Sequence, residues 1–188
     1  MVLIVALIFL LLLTIMAISA TGRSLLQERI VGGLASAQAA EWMAETAIRG
    51  TEWRLYNNTG AGLACYDSSQ PGNINSKVTT FRTSTDYTIA KNSGAGTVYQ
   101  GAGGSTDYTQ AANGGLAANA LVLLEYLGTD RAPDASSSHA AESGSSGAGT
   151  TPYYIYRVTA RALGTNPNTV RTLETTFVTP SQVSCVAS

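Results

Sequence analysis

The side chains best suited to nucleophilic catalysis or metal binding are few in this sequence: Cys65, Cys185 and the single histidine, His139. A catalytic cysteine needs a histidine base that a third polar group orients, and no such group is evident around His139, which lies in a serine-rich stretch. Three acidic residues lie near this histidine with a spacing that fits no known metal-binding loop: Asp130, Asp134 and Glu142. We therefore predict a protein that is not an enzyme and that holds no metal and no cofactor.

The composition excludes further classes. The glycine-rich stretch 101–104 lacks the lysine and the strand-to-helix context of a phosphate-binding loop. The chain has 11 Lys+Arg and 12 Asp+Glu, and this balance argues against a nucleic-acid-binding domain. Two cysteines are too few for a disulfide-dense scaffold or a cysteine-rich metal domain. The distinctive feature is therefore where the apolar residues lie.

Residues 1–20 form an apolar segment in which only Thr14 and Ser19 are polar and no residue is charged. About 20 such residues can span the hydrocarbon core of a bilayer as a helix. Three interpretations are open: a cleaved secretory signal, a single-pass anchor, or a mature N-terminus whose basic leader has been removed. No Lys or Arg precedes the apolar run, which argues against an ordinary signal and favours the third interpretation.

An amphipathic stretch continues this segment. No proline occurs between Ser24 and Tyr56, and apolar residues recur at steps of three or four: Leu26, Ile30, Leu34, Ala37, Ala40, Ala44 and Ile48. This spacing predicts an amphipathic helix, so we expect one helix over about 1–56, on the order of 80 Å long. We divide the chain into an apolar half of the helix at 1–23, an amphipathic half at 24–56 and a globular head at 57–188.

Three glycines are the weak points of the predicted helix: Gly22, Gly32 and Gly33. Each costs about 1 kcal/mol relative to alanine in a helix interior. They either permit close packing between helices or mark a place where the helix bends or unwinds during assembly. The sequence leaves both alternatives open.

Four stretches of the sequence carry a resemblance to a known family. They are MVLIVAL at 1–7, SLLQERIVGG at 24–33, QAAEWMAETAIR at 38–49 and YRVTARA at 156–162. They resemble the type IV pilin superfamily, and within it they are most like the PilX-type pilus assembly proteins. The resemblance covers residues 1–56 and about 153–178, while the middle of the chain shows no such signal.

The resemblance implies an α+β, lollipop-shaped pilin fold, with the long helix packed on an antiparallel β-sheet head that carries long loops. It implies a structural subunit of an extracellular type IV pilus, either a minor, priming subunit or the main filament subunit, which supports adhesion, twitching motility or aggregation. The subunit would associate with itself and with other pilins in a helical filament through apolar residues at its N-terminus: Leu3, Ile4, Leu7, Phe9, Leu10 and Leu13.

The resemblance also implies processing and transport. A prepilin peptidase and the inner-membrane assembly machinery would act on the chain, Met1 would be N-methylated, and the subunit would wait in the inner membrane before it reaches the bacterial surface. A pilin head lies outside the cytoplasm, in a compartment in which disulfides persist. We therefore expect a disulfide between Cys65 and Cys185. Val5 stands where most major pilins have glutamate, and this departure favours the minor role.

The head is predicted to be rich in β-strands and loops. We predict strands at 77–83, 87–90, 97–100 and 121–127, a helical turn at 116–120, and a hairpin over 153–178 that turns at 166–168. The stretches 94–115 and 132–151, rich in Gly, Ser, Thr and Ala, are predicted to be surface loops, or a variable face that contacts partners. The rival hypothesis is a membrane-anchored, adhesin-like binding module that acts without polymerisation.

Overall fold

The computed structural model describes residues 2–57, 64–69, 75–130, 152–180, 182, 183 and 185. Its helices are α1 (Val2–Tyr56), α2 (Ser76–Thr83) and α3 (Tyr87–Asn92), with a short 3-10 turn at Ala111–Asn113. Its strands are β1 (Cys65–Asp67), β2 (Thr97–Val98), β3 (Leu121–Asp130), β4 (Tyr153–Leu163) and β5 (Val170–Thr179). Met1, His139 and the predicted loop 132–151 lie outside the described residues.

Helix α1 runs without interruption for 55 residues. The described side chains from residue 2 to residue 35 are exposed, and Ser36 is the first that is buried. At the other end, the backbone N–H and the side-chain amide of Asn57 both donate to the Trp53 carbonyl, at 3.0 and 2.8 Å. The long helix and the sheet-based head confirm the predicted α+β lollipop fold, whereas the boundary at residue 23 stays a prediction.

The sheet has the strand order β1-β3-β4-β5, and β2 pairs with β3 alongside β1. The long strands β3, β4 and β5 are antiparallel to one another, as predicted. The pair β1–β3 is parallel, so the sheet as a whole is mixed. Parallel neighbours need a long crossover connection, and here the chain between them contains α2 and α3.

The predicted hairpin over 153–178 is confirmed as strands β4 and β5, which pair continuously from Tyr154↔Thr179 to Leu163↔Val170. Its turn is held by Asn166, whose carbonyl accepts from the Thr169 N–H at 3.0 Å. The Asn166 side-chain oxygen accepts from the Asn168 N–H at 2.9 Å. This is the local bonding that makes asparagine favourable in turns.

Both faces of the sheet are covered. On one face the core residues of α1, among them Met43 and Ala44, pack against alternate positions of the strands: Val122, Leu124, Tyr156, Val158 and Ala160. The intervening positions form a second core with α2 and α3 on the opposite face: Val78, Phe81, Ala90, Leu121, Leu123 and Leu163. The head therefore has three layers, with α1 on one face of the sheet and α2 and α3 on the other.

The predictions of strands at 77–83 and 87–90 are wrong, because these segments form α2 and α3. The valine, threonines and phenylalanine of 77–83 suggested a strand, but side chains before each segment satisfy the first helical N–H groups. The Asn75 oxygen accepts from the Lys77 N–H at 2.9 Å, and the Asp86 carboxylate accepts from the Thr88 N–H at 2.6 Å. These caps, together with burial of one helical face, outweigh the β-propensity of threonine.

Two shorter predictions also need correction. The helical turn expected at 116–120 lies instead at Ala111–Asn113, and the chain at 116–120 leads directly into β3. The strand expected at 97–100 is limited to Thr97–Val98. The Tyr99 N–H still donates to the Ala120 carbonyl at 2.7 Å, so the chain stays beside β3 beyond the strand itself.

Candidate assembly surface

The exposed part of α1, residues 2–35, is the largest apolar surface of the described chain. An 18-residue window of the helix has a mean hydropathy of 3.1, and none of that window is buried. By length and composition this helix is able to cross a membrane. A surface of this kind in a folded protein marks a membrane or protein contact.

The six residues predicted to pack in a filament core all lie on this segment, and each is between 61% and 78% exposed: Leu3, Ile4, Leu7, Phe9, Leu10 and Leu13. They do not form one stripe, because every residue from Val2 to Leu13 is apolar and the segment is therefore apolar on all sides. A helix that is apolar all round is covered on several sides at once. The structure places these residues together and leaves their packing role a prediction.

Two threonine hydroxyls in and just after the apolar run are satisfied within the helix. Thr14 Oγ1 donates to the Leu11 carbonyl at 2.8 Å, and Thr21 Oγ1 donates to the Ala17 carbonyl at 2.7 Å. Burying a polar group without a hydrogen bond costs free energy. These internal bonds therefore allow the two hydroxyls to enter an apolar environment without a new partner.

The helix is regular at Gly22, Gly32 and Gly33. A Cβ atom added at any of the three would meet nothing within 4 Å. Within the described chain, therefore, no neighbouring element requires glycine at these positions. Close packing at the three sites would need a second molecule, and the alternative of bending during assembly stays open.

The junction between the exposed helix and the head is a contact between Ser36 and the β4–β5 turn. Ser36 is 2% exposed, and its hydroxyl accepts from the Asn166 N–H at 3.1 Å. A Cβ atom at Gly164 would overlap the Ser36 backbone. This contact was not predicted from the sequence, where the only signal for it is the small residues on both sides, Ser36 in the helix and Gly164 before the turn.

A disulfide joins Cys65 in β1 to Cys185 in the C-terminal tail, with a Cα–Cα distance of 4.5 Å. This is the pair named from the sequence. Beside it the Val183 N–H donates to the Tyr156 hydroxyl at 2.8 Å, and burial raises the pKa of Tyr156. The bond and the disulfide attach the tail to the core that α1 shares with the sheet.

The face of the sheet opposite α1 carries a cluster of four charged residues that the sequence analysis did not identify: Arg82 on α2, Glu125 on β3, Arg157 on β4 and Glu174 on β5. Four nitrogen–oxygen distances of 3.1 to 3.8 Å connect them. Glu125 is completely buried, and Ser68 Oγ also donates to it at 3.1 Å. With two positive and two negative charges, the cluster is neutral and joins four elements of the head.

Arg161 lies four residues after Arg157 on β4, on the same face of the sheet, and is 2% exposed. Its guanidinium carbon lies 5.5 Å from the centre of the Phe81 ring, and Nη1 donates to the Asp86 carbonyl at 3.3 Å. Burial lowers the pKa of Arg161. These contacts connect β4 to α2 and to the start of α3, which is a packing role.

Among the described residues, no group of three His, Cys, Asp or Glu side chains could hold a metal ion. Four charged residues of the head pair with one another across packed elements, and the exposed residues 2–35 of α1 include only three charged side chains, Arg23, Glu28 and Arg29. This distribution of charges therefore supports association with a membrane or with other proteins through the apolar surface of α1.

The architecture as a whole defines the class of protein. A long helix whose first half is exposed and largely apolar, and whose second half packs on a sheet, is the architecture of a pilin-like protein. The family model described as "PilX N-terminal" matches residues 1–49, and the model described as "Type IV pilus assembly protein PilX C-term" matches residues 57–179. The chain belongs to the PilX family of type IV pilus assembly proteins. No curated protein and no solved structure matches it at a significant level.

The family assignment confirms the predicted resemblance and extends it across the middle of the chain, where the sequence analysis found no family signal. It makes this protein a component of the type IV pilus system that associates with other pilins, in a family of structural rather than enzymatic proteins.

Proposed function

We propose that this protein is a structural subunit of the extracellular type IV pilus filament, held there by packing of its N-terminal helix. The observation that carries the proposal is that every described side chain from residue 2 to residue 35 is exposed. Burial of apolar surface is worth roughly 25 cal/mol per Å² removed from water. A helical bundle of neighbouring subunits supplies such burial on all sides of the segment.

The apolar part of α1 is expected in two environments, first the inner membrane and then the filament. Before assembly the bilayer solvates the apolar helix, with the head outside the inner membrane. The prepilin peptidase then leaves Met1 as the mature N-terminus, where it is methylated, and the assembly machinery transfers the helix from lipid into the filament. Adhesion, twitching motility and aggregation are properties of the finished pilus on the bacterial surface.

Val5 bears on the role within the filament. A carboxylate at this position would pair with the terminal amine of a neighbour, and valine removes that pairing. This favours a minor or priming subunit over the main subunit. The number of copies per filament distinguishes the two roles and is measured by quantitative mass spectrometry of purified pili.

The proposal is tested by placing a charge in the apolar helix. Leu10→Asp and Leu13→Asp each put an unpaired carboxylate into the filament interior, which is costly. We expect each variant to be absent from sheared filaments although the head still folds. Ile89→Asp is the matched control, because Ile89 is an exposed apolar residue of α3, far from the apolar helix. Normal incorporation of Leu10→Asp would overturn the proposal.

The rival hypothesis is an anchored adhesin-like module that never polymerises. It predicts that the wild-type protein stays in the membrane fraction and is missing from sheared filaments. The same fractionation therefore separates the two hypotheses. Mass spectrometry of the N-terminus adds a second test, since a methylated Met1 is the product expected from pilin processing.

A further inference from the structure

The outward face of the head half of α1 carries three exposed aromatic side chains. Trp42, Trp53 and Tyr56 are 68%, 53% and 68% exposed. At about 100° per residue, the three lie within about 60° of one another around the helix axis. They lie opposite the alanines that contact the sheet, such as Ala44. The head of the same chain therefore cannot cover them.

Charged residues lie among these rings. Arg49 lies between the two tryptophans along the helix and pairs with Glu45, one turn away, at 3.6 Å. The Arg49 and Glu45 side chains are 79% and 48% exposed. We call the set Trp42, Glu45, Arg49, Trp53 and Tyr56 the outward stripe. It combines a large aromatic surface with one positive and one negative charge.

The charges of the outward stripe restrict what can cover it. Residues 2–20 of a neighbour offer no charged side chain, so packing them over Glu45 and Arg49 would desolvate both charges without new partners. The segment 21–35, which we call the linker, is also exposed and has exposed apolar residues with charges of both signs between them: Arg23, Leu25, Leu26, Glu28, Arg29, Ile30, Val31 and Leu34. It matches the stripe in both respects.

The outward stripe and the linker cannot meet within one chain. They lie on one uninterrupted helix, and Glu45 lies sixteen positions after Arg29, which is roughly 24 Å along the axis. Since both surfaces belong to this sequence and both are exposed, the occupant that the structure favours is a second copy of the chain.

We propose that the outward stripe of one subunit docks on the linker of a second copy, with the two helices parallel and staggered by roughly 20–35 Å. The inference rests on the proposed function, because only a filament permits such a stagger. Two copies in one membrane have their apolar segments at the same depth, and their linkers then lie side by side. At least two copies must be adjacent in the pilus, whether the subunit is minor or main.

The test uses the full-length protein with a photoreactive benzoylphenylalanine in place of Trp42, illuminated in sheared filaments and, separately, in the membrane fraction. Trypsin cuts after Arg23 and Arg29, so most of the linker is released as peptide 24–29 and the start of peptide 30–49. We expect a covalent dimer in filaments, with position 42 joined to one of these peptides. The membrane fraction should not give this product. The same photoreactive residue at Ile89 is the control and should not label the linker.

The outcomes separate this inference from the proposed function. If the wild-type chain is present in filaments but position 42 links to residues 1–23, to another protein or to nothing, the docking proposal fails and the proposed function stands. If the wild-type chain is absent from filaments, both fail. As a second measurement, Trp42→Ala combined with Trp53→Ala should lower the filament content of the protein about tenfold or more. Tyr153→Ala, at an exposed tyrosine of β4, should leave it unchanged.

Discussion

Glu125 and Arg157 form an ion pair between adjacent strands β3 and β4, with Glu125 Oε1 lying 3.8 Å from Arg157 Nη1. Glu125 is completely buried, whereas the Arg157 side chain is 25% exposed. Arg82 approaches the other carboxylate oxygen of Glu125 at 3.7 Å. A buried carboxylate is tolerated because cations and a hydroxyl surround it, and Glu125 is the one member of the cluster whose side chain is fully buried.

Neutralising Glu125 should therefore destabilise the head. Glu125→Gln leaves Arg82 and Arg157 with only the more exposed Glu174 as a partner. We expect a loss of about 3 kcal/mol in the free energy of unfolding, as for a buried pair that loses one member. Urea denaturation of the full-length protein in detergent, followed by near-ultraviolet circular dichroism of the buried tyrosines, measures this loss.

The matched control for that prediction is Glu45→Gln, which removes an exposed ion pair with Arg49. Such a pair is worth less than about 1 kcal/mol. Equal denaturation midpoints for the two variants would show that burial of the cluster contributes nothing to the stability of the head.

The Cys65–Cys185 disulfide closes a loop with a sequence separation of 120 residues. In the chain-entropy model, a loop of this length stabilises the folded state by about 4–5 kcal/mol. We expect Cys65→Ser with Cys185→Ser to lower the denaturation midpoint strongly, and a reductant to lower that of the wild type to a similar value. A reductant should not affect the double variant. A wild-type midpoint that is insensitive to full reduction would contradict the prediction.

The sequence predicted the parts of the fold that rest on local periodicity. The helix follows from the spacing of Leu26 through Ile48 and the lack of proline, and the hairpin follows from alternation along β4 and the turn at Asn166. Helices α2 and α3 could not be recognised in the same way, because both are short and the three threonines of α2 favour a strand. Their caps at Asn75 and Asp86 were the usable signal.

The assembly surface could also be predicted from a local sequence pattern, whereas the charged cluster could not. Exposure of Leu10 and its neighbours could be predicted, because a long uncharged run has no place on a small polar head. The cluster could not, because Arg82 and Glu174 are brought together only by the packing of α2 on the sheet. Glu125 within an apolar strand was a visible anomaly, but the sequence did not reveal its partners.

We expect the stability of the head to depend on pH through Asp107. Its carboxylate accepts from the Thr109 backbone N–H at 3.0 Å and from the Thr109 hydroxyl at 2.8 Å. These bonds, followed by one from the Asn119 amide, lower the pKa of Asp107 below its ordinary value. The unfolded carboxyl, with a pKa of about 3.9, then binds a proton more readily than the folded one. Its contribution is present above that pH and is lost as the pH falls through the folded pKa.

We therefore expect Asp107→Asn to be less stable than the wild type at pH 7, and the difference to shrink towards zero as the pH falls through the lowered pKa of the folded carboxyl. Thermal unfolding of both proteins across this range measures it. Thr109→Val should raise the pKa of Asp107, as followed by nuclear magnetic resonance titration of the carboxyl carbon. A stability difference that is independent of pH would contradict the assignment.

Gly164 should not tolerate a larger residue, because a Cβ atom there would overlap the backbone of Ser36. The backbone of a helix cannot give way as a flexible side chain can, so the turn must move away from α1. We expect Gly164→Ala to cost about 1–3 kcal/mol, in the range of other overpacked sites. Gly103→Ala is the control, because a Cβ atom at Gly103 meets nothing within 4 Å. Equal stability of the two variants would contradict the close contact.

Gly22 distinguishes the two roles left open for the helix glycines. Since a Cβ atom at this position meets nothing within 4 Å in the described chain, Gly22→Ala should strengthen the helix by about 1 kcal/mol and leave head stability unchanged. If assembly needs the helix to bend there, the variant should enter filaments less well. Gly22→Ser, at a smaller gain in helix propensity, should then have an intermediate effect.

If close packing of Gly22 against a neighbouring subunit matters instead, serine, which is larger than alanine, should be at least as harmful as alanine. Quantifying both variants in sheared filaments and in the membrane fraction separates bending from packing, and wild-type incorporation of both would exclude either role for Gly22.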